Sequence, residues 1–222
     1  MCLTIKKRFD YIVAQKLQLE LSKLVSFEPI EVQDIEVIVA TDVGYKGSKG
    51  VGVAVAYDAE KRREICHVAI VDDIDIPYVP GLLAFREAPL MTGAIKELSA
   101  RCVDADVVMV NGHGVSHPRK FGIASHIGVV LDKPSIGIAK KLLYGSIVLD
   151  DKRREAIVVD GSIVGYVAKN IHGGSVYISV GHRLTPENAL IITESVWNKH
   201  YPLPDPLYIA DNLTKKLRSK IR

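Results

Sequence analysis

The 222-residue chain is poor in cysteine, glutamine and aromatic residues and has no long apolar run. Each shortage excludes something. Its three cysteines, Cys2, Cys66 and Cys102, fit no metal-ligand spacing, which removes the zinc-ribbon and zinc-finger classes. An odd cysteine count without a signal peptide predicts a reducing, cytoplasmic setting. No stretch approaches the roughly 20 apolar residues that span a bilayer, so no membrane is expected among the partners. Glutamine occurs three times and asparagine five, against abundant Ile, Val and Lys, a bias that points to a thermophilic source.

Familiar nucleotide and hydrolase signatures are absent as well. "GYKGSKG" (44–50) lacks the Gly-Lys-Ser/Thr ending of a P-loop and reads as a hairpin turn. His113 and His117 are four apart, but the glycines and Pro118 around them argue against a helical zinc pair. Ser116–His117 and Ser125–His126 give no Gly-x-Ser-x-Gly elbow. A formal net charge of +3 is too small to name a partner. The run "LTKKLRSKIR" at the end is basic, yet reads equally well as a solvated helix end.

What is present is the pattern of one α/β domain over residues 1–222. Phe9, Ile12, Val13, Leu17, Leu21 and Leu24 recur at helical spacing. "IEVIVATDVGY", "VGVAVAYD" and "EICHVAIVDDI" follow as an antiparallel meander. Then come a loop, "DIPYVPG", and a helix over 83–98. A strand at 106–110, a glycine loop, a helix over 123–131 and a short strand, "PSIGIA", continue the order. "DG" at Asp160–Gly161 joins two hairpin strands, 155–159 and 162–168. After a strand at 175–181, Thr185-Pro186-Glu187 opens a helix to about 200. "LPDPL" precedes a last helix over 206–219. Three antiparallel strands followed by alternating helices and strands is the order of an RNase H-like mixed sheet flanked by helices. There the first and fourth strands lie parallel, and their carboxyl ends meet where open α/β sheets bind ligands. Those two ends carry Asp42 and Asn111.

Asp42 closes an otherwise apolar strand, where a charge is costly unless paired or metal-bound; alone it could be a turn cap. Glu87 and Asp211 sit in predicted helices, where ordinary surface or capping acids also occur. Gathered at one sheet edge, such oxygens are what Mg²⁺ or Mn²⁺ requires. In "PYVPG" (77–81) two prolines stiffen a loop around Tyr78, which either packs on the core or wedges into a duplex.

Together the segments "ATDVGYKG", "IPYVPGLLAFREAPL", "GHGVSHPRKFGIASHIGVVLDKPSIGIAKKLLYG", "VYISVGHRLTPENAL" and "YPLPDPLYIAD" resemble the endonuclease V family, nucleases that recognise deaminated adenine. They run in family order from residue 40 to 211. The resemblance implies an RNase H-like fold, a divalent metal, and DNA containing deoxyinosine as partner of a monomer. It implies cleavage of the second phosphodiester 3′ to the lesion, leaving a 3′-hydroxyl and a 5′-phosphate. Residue by residue, it places Asp42, Glu87 and Asp211 at acidic metal positions and Lys140 near the scissile phosphate. Pro77, Tyr78, Val79, Pro80 and Gly81 match the strand-separating wedge. Leu83, Gly112, His117, Gly122 and Ile123 match the pocket for the flipped base.

Asn111 is the departure, since the family pattern "DGHG" or "DGQG" has aspartate there. Asparagine keeps the shape and loses the charge, so attenuated cutting is expected. Its origin, a deliberate silencing change or a natural variant, stays open at this point. So do two other functions: a non-cleaving inosine-binding module, and a ribonuclease for inosine-containing RNA.

Overall fold

The computed structural model describes residues 9–221; Cys2 lies outside them. Among the described residues nine strands form one sheet, in the order β3-β2-β1-β4-β5-β9-β8-β7-β6. The first three, β1 (Val37–Lys46), β2 (Lys49–Asp58) and β3 (Arg63–Asp73), form the predicted antiparallel meander. "GYKGSKG" is its first turn, with Gly47 at φ +61°, a conformation that favours glycine. β4 (Val107–Asn111) lies parallel to β1 with Thr41 opposite Val110, and β5 (Ser135–Ala139) lies parallel to β4. Asp42 and Asn111 are therefore the next residues on adjacent, parallel strands.

Helices cover both faces, and period-two alternation decides which residues meet which helix. Val39, Val108 and Val110 face α2 (Leu83–Arg101) and α3 (Ile123–Leu131), packing with Met91, Ile95 and Ile127. Ile38, Ala40 and Met109 face the other way, towards Trp197, Leu207 and Ala210. The last two of these lie on α5 (Asp205–Arg218). The central strands are thus buried on both sides, which explains their unbroken Val/Ile/Ala character.

The sheet continues through β9 (Ser175–His182), β8 (Ser162–Lys169) and β7 (Glu155–Val159). It ends at a strand missing from the sequence reading, β6 (Ser146–Leu149), whose residues are all exposed. A four-residue edge strand with neither face buried has no alternation to detect. α4 (Pro186–Ser195) begins as expected, with Thr185 accepting the Asn188 amide at 3.1 Å. It stops five residues earlier than predicted, because Val196 and Trp197 turn into the core.

Two expectations need correction. The N-terminal helix exists, as α1 (Tyr11–Ser22), but it buries Ala14 and Gln18. The apolar Ile12, Val13 and Leu17 that announced it lie exposed. The cysteines are not all free: Cys66 on β3 and Cys102 after α2 are disulfide-bonded. Only tertiary proximity brings positions 36 apart together, so spacing alone gave no sign of the pair. Paired cysteines weaken the argument for a reducing setting, although intracellular disulfides do occur in hyperthermophiles. Among the described residues no helix is long and apolar enough to cross a membrane.

Candidate active site

The ends of β1 and β4 bring Asp42 and Asn111 into contact. The Asn111 amide donates to Asp42 Oδ1 at 2.7 Å, and Thr214 on α5 donates to Asp42 Oδ2 at 2.6 Å. Asp211 lies one helical turn before Thr214. Its carboxylate meets Lys215 at 2.5 Å. Glu87, from α2, accepts from the Tyr45 hydroxyl, whose ring lies under the Arg86 guanidinium. Asp42, Glu87 and Asp211 are all buried. The predicted acidic set is therefore gathered from β1, α2 and α5 around Asp42.

The electrostatics of this cluster are unfavourable without a cation. Burial pushes the Asp42 carboxyl up, and the Asp211 charge adds to it against hydrogen bonds from Thr214 and Asn111. Burial likewise raises Glu87 to about 7, opposed by Tyr45 and reinforced by Asp42. Desolvated carboxylates that raise one another's proton affinity are relieved by a divalent cation, and an all-oxygen donor set suits a hard one. The donor chemistry therefore fits Mg²⁺ or Mn²⁺. Among the described residues, however, no three His, Cys, Asp or Glu side chains form a ready metal cage. At position 111 the side chain that meets Asp42 is an amide and not a carboxylate. Asn111 gives Asp42 a hydrogen bond where an aspartate would need a bridging ion.

Immediately beyond Asn111 lies a pocket of about 240 Å³. All five residues predicted for it, Leu83, Gly112, His117, Gly122 and Ile123, are on its walls, with Tyr78, Pro80 and Gly81 from the stiff loop. Gly112 has φ +153°, and a Cβ there would come within 2.3 Å of Ile123, so the position needs glycine. Tyr78 is 67% exposed, which rules out the core-packing alternative. Arg86 donates to the Ile76 carbonyl at the loop's start.

The pocket is lined without charge. Arg119 N–H donates to His117 Nδ1 at 3.1 Å, so the ring proton sits on Nε2 and points to the Gly81 carbonyl at 3.1 Å. Burial, with Arg119 beside it, drops His117 to about 4, and burial does the same for His113. Both are neutral near pH 7. Lys140 is exposed just after β5. Lining residues that the sequence assigned neither to the pocket nor to the wedge are Gln18, Ala84, His113 and Leu143. Gln18 comes from a helix whose pattern placed apolar residues, not glutamine, on the inner face.

Comparisons with known proteins show the family and the fold. Residues 19–212 match the family model for endonuclease V. The chain belongs to the endonuclease V family. It is 40% identical to the endonuclease V of Desulfurococcus amylolyticus, over 93% of this chain and 95% of that one. The Bacillus subtilis endonuclease V structure superposes with a TM-score of 0.87 at 28% identity, covering 96% and 94% of the two chains. That of Ciona intestinalis, in complex with a 24mer DNA containing an inosine followed by a ribo-adenosine, shares the fold. Its TM-score is 0.83 at 20% identity, over 96% of this chain and 100% of that one. The RNase H-like architecture expected from element order is the fold of these endonuclease V structures.

Proposed function

We propose that this chain recognises deoxyinosine in DNA and cuts the second phosphodiester 3′ to it, leaving a 3′-hydroxyl and a 5′-phosphate, with slow turnover. The observation that carries the reading is an adjacency. Asn111 belongs to the carboxylate cluster, and the next residue, Gly112, is a wall of the neutral pocket. A base held in the pocket thus brings its own backbone to the acidic centre. The pocket is smaller than the roughly 300–1,000 Å³ of drug-sized sites, which suits a single planar base.

Hypoxanthine differs from adenine by an acceptor at O6 and a proton on N1. Main-chain groups beside Gly112 and Gly122 can read that difference, and the neutral His117 adds no charge that would favour another base. Tyr78, rigid between Pro77 and Pro80, fills the gap left in the stack. Lys140, exposed just after β5, is assigned to the scissile phosphate by the family resemblance. Asp42, Glu87, Asp211 and the Asn111 amide oxygen would hold Mg²⁺ or Mn²⁺. Such a cation, when bound, supplies activation of water and stabilisation of the leaving oxygen.

One unit charge at about 4 Å and an effective dielectric of about 20 is worth roughly 4 kcal/mol before desolvation. Loss of the carboxylate at 111 therefore weakens the cation site substantially. The same amide favours a second reading, an inosine-binding module that does not cut. Both are tested by incubating the chain with matched DNA and RNA strands carrying one inosine, across Mg²⁺ and Mn²⁺ titrations, and mapping the ends. Slow nicking one nucleotide beyond the lesion supports the nuclease. Lesion-dependent binding without product at any metal level supports the module. Neither product nor preference would overturn both.

A further inference from the structure

A buried side-chain amide is costly unless its donors and acceptor are satisfied. Gln18 is 1% exposed, while Ile12, Val13 and Leu17 on the same helix face solvent. Helix α1 thus buries the polar Gln18 beside Ala14, while Ile12, Val13 and Leu17 stay in solvent. Where the amide points explains why. Gln18 Nε2 donates to the Gly81 carbonyl at 3.0 Å and to the Phe121 carbonyl at 3.1 Å. Gln18 Oε1 accepts from Arg119 Nε at 2.6 Å. A guanidinium can only donate, so this contact fixes which end of the amide is oxygen.

The Gly81 carbonyl is the meeting point. It also accepts from Arg119 Nη2 at 2.7 Å and from His117 Nε2 at 3.1 Å. Gly81 has φ +76°, in the left-handed region that favours glycine. It ends the stiff 77–81 loop and leads into α2, which carries Glu87. Phe121 precedes Gly122, another residue of the pocket lining. One amide therefore bridges the loop that carries Tyr78 and the segment that carries Gly122.

We propose that Gln18 is a positioning residue for lesion reading: it sets the spacing between the 77–81 loop and the Phe121–Gly122 wall, so that an extruded base is gripped. It acts through Gly81 and Phe121 and does not itself carry out chemistry. The inference rests on the pocket being the base site. Methionine at 18 would fill the same space, yet leave the Phe121 carbonyl without this donor and Arg119 Nε without its acceptor. Glutamate would keep Arg119 and turn an acceptor towards the two carbonyls.

The test compares Q18M and Q18E with the unchanged chain, without metal, so that slow cutting does not interfere. Binding is measured by anisotropy on two duplexes that differ only in deoxyinosine against deoxyadenosine. 2-Aminopurine beside the lesion reports unstacking, and thermal melting runs in parallel. Q18M should lower the preference for deoxyinosine about tenfold, some 1.4 kcal/mol, with the loss confined to the lesion duplex and its unstacking signal. Q18E should lose preference similarly while Arg119 keeps α1 docked, so it serves where Q18M folds poorly. Unchanged preference at any melting temperature, or equal weakening on both duplexes, would overturn the proposal. An unchanged chain with no preference would sink the base-site reading and this inference with it.

Discussion

Two neighbouring regions of the molecule are built on opposite principles. The strand-end centre collects charge: Asp42, Glu87 and Asp211 are buried together, and burial and mutual repulsion raise two of them. The pocket next to it excludes charge: its histidines are neutral and the rest of its walls are glycines, Pro80, Gln18, Tyr78 and apolar side chains. The first gathers carboxylates that raise one another's proton affinity, whereas the second engages His117 and Gln18 in hydrogen bonds and leaves His113 Nδ1 on its wall without a partner. A single residue change between aspartate and asparagine at 111 therefore acts on one region and spares the other. That separation is the expectation that mutation can break or sharpen.

The largest effect is expected at the charged centre. Asn111→Asp returns a carboxylate beside Asp42 and should raise single-turnover nicking of deoxyinosine DNA about 10²-fold or more, equivalent to roughly 3 kcal/mol. Equal rates at every Mg²⁺ concentration would remove Asn111 from the metal site. At the neutral pocket, Tyr78→Ala should weaken binding of inosine-containing duplex by about 1–3 kcal/mol, the scale of stacking on one base. The exposure of Tyr78 means that its melting temperature should hardly move, and a large drop would return Tyr78 to the core.

A pH experiment separates the two regions in the metal-free protein. Folded Glu87 keeps its proton to about 7, while the unfolded chain loses it near 4.5. Between those values the folded state binds more protons, so Glu87's contribution to stability falls as pH rises. The pocket histidines work in the opposite sense: folded, they stay neutral down to about 4, while unfolded they gain a proton below 6.5. Their contribution rises with pH in an overlapping window. Denaturant melts of Glu87→Gln against the unchanged chain isolate the first. The variant's relative stability should grow from pH 4.5 to 7 by about 2 kcal/mol or less. A flat difference would mean that Glu87 is already ionised without metal. The smallest effect belongs to Lys140→Met, which should lower the salt slope of DNA binding by about one phosphate contact. An unchanged slope would take Lys140 away from the DNA.

Much of this comparison was legible in the sequence, for identifiable reasons. Fully buried strands read as Val/Ile runs, so β1 and β4 and their paired ends could be placed, and Asn111–Gly112 located both regions at once. The resemblance supplied the pocket, Gly112 and Gly122 included. What was hidden depends on tertiary contact. Gln18 gave no signal because a buried polar residue is defined by partners at 81, 119 and 121. The Cys66–Cys102 bond joins an edge strand to the end of a helix, which no spacing rule anticipates. β6, short and exposed, has no pattern to read.

The most direct test of separability is metal-free affinity. The unchanged chain and its Asn111→Asp variant are titrated with a deoxyinosine duplex and with the same duplex carrying deoxyadenosine. The account predicts the same preference for deoxyinosine in both proteins, with at most a slight uniform weakening from carboxylate–phosphate repulsion in the variant. A preference that is present only with aspartate at 111 would contradict it, because reading and cutting would then be one site.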